Sequence, residues 1–154
     1  MNKIFTLAGV LLICASIFAM AYMWRIDHRE AAHLSEYATI DFKVARDEDG
    51  SLEGANFFLW DYRFSNAQIL PSVIFFIDDA PWELPATSKQ TPPPSQYSYF
   101  RFENKLFASL PKSSLKSLLN AQSVRVKFFF DNGQVIDLPL SKKDLTAWRR
   151  KLRW

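Results

Sequence analysis

One cysteine, two histidines and four glycines in 154 residues exclude several chemistries at once. Cys14 lies inside a long apolar run, so the rest of the chain has no disulfide, Cys-ligated zinc, iron–sulfur cluster or thiol nucleophile. No histidine lies beyond position 33, which removes a Ser-His-Asp triad from the globular part. His28 and His33 flank Glu30 at a spacing of five, about 140° apart on a helix, so they share no metal-binding face and read as solvated polar residues. With glycine this scarce, there is no Walker loop, no dinucleotide fingerprint and no G-x-S-x-G elbow. The expected cofactor and metal content is none.

A basic face spread over the domain is also lacking. Residues 142–154 carry six basic side chains and one acid, whereas residues 22–141 carry twelve basic and fifteen acidic. The net charge of +3 is therefore a property of one terminal segment, and no nucleic-acid partner is expected.

What the sequence does have begins with an uncharged run of 21 residues, Ile4 to Trp24, between Lys3 and Arg25. A helix of that length spans a hydrocarbon core of about 30 Å. Ala19-Met20-Ala21 has the small-x-small form of a signal-peptidase site, which would leave a soluble periplasmic protein cleaved after Ala21. The apolar run continues past it, and Tyr22 and Trp24 beside Arg25 suit the headgroup interface, so an uncleaved anchor is the better fit. Ile4, Leu11, Phe18, Tyr22 and Trp24 are then membrane residues. Residues 1–24 form the anchor, 25–36 a juxtamembrane stalk and 37–154 an envelope-exposed domain. The positive-inside count is nearly balanced, but a signal-like start places the C-terminal part outside the cytoplasm, in the periplasm of a bacterium with two membranes. Ile13 is large where a lipoprotein box needs a small residue before the cysteine, so Cys14 reads as a lipid-facing or packed thiol.

From Tyr37 the apolar period becomes two. Ala38, Ile40, Phe42 and Val44 alternate with polar residues as a half-buried strand, and Asp47-Glu48-Asp49-Gly50 is a charged turn. Strands follow at 56–64, 73–77 and 97–102. On the first, Phe58, Trp60, Tyr62 and Phe64 share one face and Phe57, Leu59, Asp61 and Arg63 the other. The all-aromatic face is expected to be core rather than a sugar- or partner-binding platform, which makes Phe57 and Leu59 candidate contact residues where no second layer covers them. Residues 78–96 hold five of the eight prolines and read as a long loop. Within it, Trp82 and the extended Pro92-Pro93-Pro94 are further interaction candidates, the alternative for Trp82 being a ring folded back to plug an edge of the sheet.

The last third predicts a helix over 111–121, then a strand over 123–130 with Val124, Val126, Phe128 and Phe130 inward. A hairpin at Asn132-Gly133 and a returning strand over 135–140 come next. Ser141 caps a closing helix, 142–152, with Leu145, Trp148 and Leu152 on its packing face. The fold class is mainly β, two-layered and sandwich-like, with a C-terminal helix and one short internal helix after the transmembrane helix. The run Leu115-Lys116-Ser117-Leu118-Leu119-Asn120-Ala121 into Val124-Arg125-Val126, with Ile136-Asp137-Leu138-Pro139-Leu140-Ser141 before the closing helix, resembles the C-terminal part of invasion-associated locus B type periplasmic domains. The likeness covers about residues 106–152. It implies a β-rich exported domain and carries over no functional residue.

Two charged groupings complete the candidates. Asp78, Asp79 and Glu83 could act as a carboxylate pair on a glycosidic bond, although adjacent acids after an apolar strand are more often turn-formers. The Asp47–Asp49 turn lacks the calcium-loop spacing. Lys142, Lys143, Arg149, Arg150, Lys151 and Arg153 are candidates for contact with an anionic surface, against a plain packing helix. The expectation is a non-catalytic, membrane-anchored, protein-binding domain: an accessory subunit of a membrane complex or an immunity-type protein. A periplasmic small-molecule or glycan-binding module is the alternative, and a carboxylate hydrolase the third.

Overall fold

The computed structural model describes residues 2–28 and 38–153, with side chains from residue 8 onward. The apolar N-terminal run is a single helix, α1 (Asn2–Asp27). From Ala8 to Asp27 it is long and apolar enough to cross a membrane. Leu11, Phe18, Tyr22 and Trp24 are all exposed on it; the side chain of Ile4 lies outside the described residues.

Seven strands follow: β1 (Ala38–Arg46), β2 (Leu52–Arg63), β3 (Ile69–Ile77), β4 (Ala80–Thr91), β5 (Phe102–Pro111), β6 (Val124–Phe130) and β7 (Val135–Pro139). Helix α2 (Lys112–Asn120) joins β5 to β6, and α3 (Lys142–Arg153) closes the chain. The strands form one sheet in the order β1-β2-β5-β4-β3-β6-β7, antiparallel throughout. The sheet curls because β4 serves two partners: its first half, to Pro85, pairs with β3, and its second half, from Ala86, pairs with β5. Phe57 of β2 consequently meets Phe75 of β3 edge-on at 5.2 Å, although two strands lie between them.

The concave side is the core. Phe57, Leu59, Val73, Phe75, Leu106, Val126 and Phe128 point into it. Helix α3 runs from the end of β7 to β1, the two edge strands, and Trp148 stacks on Phe42 at 4.4 Å. As expected, Val124, Val126, Phe128, Phe130, Leu145, Trp148 and Leu152 are all buried. The Ser141 hydroxyl accepts the amide of Asp144 at 3.1 Å, and the Asp144 carboxylate accepts the same hydroxyl at 2.7 Å. At the far end the Arg46 guanidinium donates to the carbonyls of Lys151 and Leu152, satisfying two orphan acceptors of the last turn.

Two expectations are corrected. First, residues 78–96 are not a long loop. Asp78 and Asp79 are a two-residue turn, both with positive φ (47° and 64°), and β4 follows at once. This is the primed geometry whose twist suits a hairpin, and aspartate tolerates it. Pro81 and Pro85 pair across from Phe76 and Ser72. Counting from the turn, both occupy positions whose N–H would point away from β3, on the side that β5 reaches only from Ala86, so no ladder bond is lost. Second, the strand expected at 97–102 starts only at its last residue: the 3-10 turn Ser95–Tyr97 and the turn residues 98–101 precede β5. The expected hairpin turns at Asn132-Gly133, where Gly133 takes a positive φ (84°) and the Asn132 side chain accepts the amide of Gln134 at 3.0 Å. Tyr37 and residues 29–36 of the expected stalk lie outside the described residues. Ile26 and Asp27 are buried against the domain, so the start of that segment is no free stalk.

Candidate functional site

The inward face of β2 is the reverse of the one expected. Phe57 and Leu59 are fully buried and are withdrawn as contact residues. Phe75 and Trp148 cover Phe57, and a charged pair continues the same face. Asp61 and Arg63, two residues apart and so on one side of the strand, are both fully buried and joined at 2.6 Å. Arg63 also donates to the Gln134 side chain at 2.6 Å and to the Asp27 carbonyl at 3.0 Å, and its guanidinium lies 3.6 Å from the Phe130 ring centre. Charges at a core position are tolerated when paired and hydrogen-bonded.

This node joins α1 to the domain. The two oxygens of Asp27 accept the amides of Phe64 and Ser65, at 2.9 and 2.7 Å. Beside it Ile26, Tyr62 and Phe100 form a second apolar cluster, with Trp60, Phe64 and Tyr97 leaning on it. Tyr62 stacks on Tyr97 at 4.3 Å and donates its hydroxyl to Glu103 at 3.2 Å. Burial, together with the Glu103 carboxylate, pushes the Tyr62 phenol up to about 12.

On the convex side, away from the core, lies the face of β2 expected to be interior. Phe58 and Trp60 stack at 5.8 Å, and Phe107 of β5, directly opposite Phe58, is 5.1 Å from it. All three rings are part-exposed, Phe107 by 37%. Lys43 from β1 reaches over Phe58 at 5.3 Å. Lys105 stands opposite Trp60, and Lys89 of β4 stands opposite Lys105. Between Trp60, Phe107, Thr87 and the two lysines is a shallow hollow of about 220 Å³. Strand register thus gathers residues from four strands onto one rigid surface. Phe107 and Lys105 belong to β5, whose signal in the sequence is the alternation of exposed Lys105, Phe107 and Ser109 with buried Leu106, Ala108 and Leu110.

The other candidates disperse. Trp82 sits on β4 opposite Phe75, half-buried against the core, rather than on a loop. Pro92 and Pro94 are exposed, Pro93 is half-buried, and Pro94 is extended as it leads into the 3-10 turn. Asp78 accepts the amides of Gln122 and Ser123 at 2.7 and 2.8 Å, Asp79 pairs with Arg125 at 3.4 Å, and Glu83 is exposed on the proline side of β4. Their carboxylates therefore do not converge on one point. Hydrogen bonds from Ser51 hold Asp47 below the usual carboxylate range and close its turn. Of the basic set, Lys151 donates to the Phe42 carbonyl at 2.6 Å, while Arg149, Arg150 and Arg153 line one groove with Thr146. Lys142 and Lys143 are exposed at the start of α3. Among the described residues no group of three His, Cys, Asp or Glu side chains is placed to hold a metal.

No protein-family model matches the chain, and no curated protein matches its sequence. Among solved structures it is similar to one titled "Structure of Iho670 Flagellar-like Filament", at 10% identity and a TM-score of 0.39, over 91% of this chain and 98% of that one. A likeness so low carries no argument about function.

Proposed function

We propose that the chain is a single-pass, envelope-exposed domain that binds protein through the convex face of β1, β2, β5 and β4, without chemistry of its own. The observation that carries this reading is the part-exposed cluster of Phe58, Trp60 and Phe107 rimmed by Lys43, Lys89 and Lys105. Part-exposed aromatic rings on a rigid sheet supply contact area at little entropic cost, and lysines at the rim steer an acidic partner. The signal-like N-terminus favours the periplasmic side of an inner membrane, with residues 4–24 retained as the anchor. An accessory subunit of a membrane complex and an immunity-type protein both fit such a surface.

The test is recovery of a partner from detergent-solubilised membranes with the native anchor in place. Phe107→Ala should remove the partner at a stability cost of about 1–2 kcal/mol that leaves the domain folded, because the ring is only 37% exposed and packs on Phe58. A partner still recovered in full would sink the assignment of this face. The hollow beside Trp60 favours a glycan as the second reading, since a sugar ring stacks on an indole. Quenching of tryptophan fluorescence by oligosaccharide, lost in Trp60→Ala, would decide for it.

A further inference from the structure

We infer that the α1 end of the domain is seated in the lipid headgroup layer, so that the domain is held rigidly on the bilayer rather than tethered above it. The inference rests on the reading of α1 as a membrane span. Along α1 the side chains from Val10 to Tyr22 are exposed, and among the described residues the helix is covered by the domain in its last turn, where Met23 is half-buried and Ile26 and Asp27 are buried. The interface pair Tyr22 and Trp24 is exposed by 55% and 64%. Asp27 follows Trp24 by three residues, about 4.5 Å of helix. The headgroup layer on each side of a bilayer is about 5–8 Å deep. No slack separates the two, because Asp27 is clamped to Phe64 and Ser65 by its carboxylate and to Arg63 by its carbonyl. Whatever lies beside Asp27 therefore lies at the depth of the headgroups.

What lies there has the right chemistry. Tyr99 is held 59% exposed, its ring 4.3 Å from Phe100, which is packed beside Ile26. Tyr97 and Phe64 are part-exposed next to it, and Arg101 is exposed, its amide bonded to the Arg63 carbonyl. Amphipathic rings with an arginine suit the interface, where the ring body meets acyl chains and the polar tip meets phosphate. The basic helix α3 is less well placed: its Lys151 reaches β1 at Phe42, about 13 Å along the strand from Ala38 at the joint end. The lipid-facing surface is thus the aromatic joint and not the basic helix.

The experiment uses the full chain with Cys14→Ser in nanodiscs of phosphatidylcholine and phosphatidylglycerol. A fluorophore is placed in turn by Tyr99→Cys, Ser98→Cys, Gln122→Cys and Leu11→Cys. Lipids carrying a nitroxide at the headgroup should remove most of the fluorescence at positions 98 and 99 and none at 122, which lies at the opposite end of the sheet. Nitroxide in the acyl chain should quench position 11. Quenching at 11 with none at 98 or 99 would overturn the seat and leave the span standing. Absence of quenching at 11 would overturn both.

Discussion

At the residue scale the Arg63 node is the least expected feature of the molecule. Asp61 and Arg63 are fully buried on the core side of β2, where Arg63 bonds to Asp61, to the Gln134 side chain and to the Asp27 carbonyl. Arg63→Ala should destabilise the full chain by about 3–5 kcal/mol, since removing one partner strands the other charge. Replacing the pair together, Asp61→Leu with Arg63→Met, should recover much of that loss, and denaturant unfolding in detergent measures both. Tyr62 makes a pH prediction. Its phenol is raised from 10.0 to about 12 in the folded state, so the protonated form is favoured by folding. The stability it contributes is complete below about pH 10 and is lost as the pH rises through about 12. Melting temperatures of wild type and Tyr62→Phe should converge across that window. A constant difference up to pH 12 would show that the hydroxyl does not act through its proton.

At the element scale β4 shows how proline misleads. Five prolines in nineteen residues read as a loop, but Pro81 and Pro85 fall where the ladder needs no donor. The turn that makes this register possible is Asp78-Asp79. Asp79→Val should cost about 1–2 kcal/mol, because a β-branched residue resists positive φ, whereas Asp79→Gly should be close to neutral. Equal losses for the two would place the cost in the Arg125 ion pair instead. Trp82 now reads as structural. Trp82→Ala should lower stability by about 2 kcal/mol, somewhat under the cost for a fully buried tryptophan, and a melting temperature unchanged by the substitution would return Trp82 to the list of contact residues. The elements of the last third were legible because they are local: leucines at helical spacing, strict alternation from Val124 to Phe130, and a serine cap three residues before an acid. Asp144 misses the other half of the capping box, accepting the hydroxyl of Ser141 where a longer glutamate would reach its amide.

For the molecule as a whole, intact-mass measurement on the membrane fraction should find residues 4–24 retained, and a mature N-terminus at Tyr22 would leave a soluble exported domain. Either product keeps Ile26 and Asp27, on which the second apolar cluster depends. The apolar span, the β class, the closing helix and the inward face of β6 followed from the chain alone, because each depends on period, length or capping among near neighbours. Which side of β2 turns inward did not. Both faces carry large apolar side chains, and the choice between them depends on partners distant in sequence: Phe75 and Trp148 fill the space over Phe57, while Asp27 and Gln134 help to satisfy Arg63. The convex aromatic face is the consequence, since the rings of Phe58, Trp60 and Phe107 meet only after β2 and β5 have paired. The period of two makes the faces of a strand visible in one dimension, whereas burial is set by which other surface arrives to cover them.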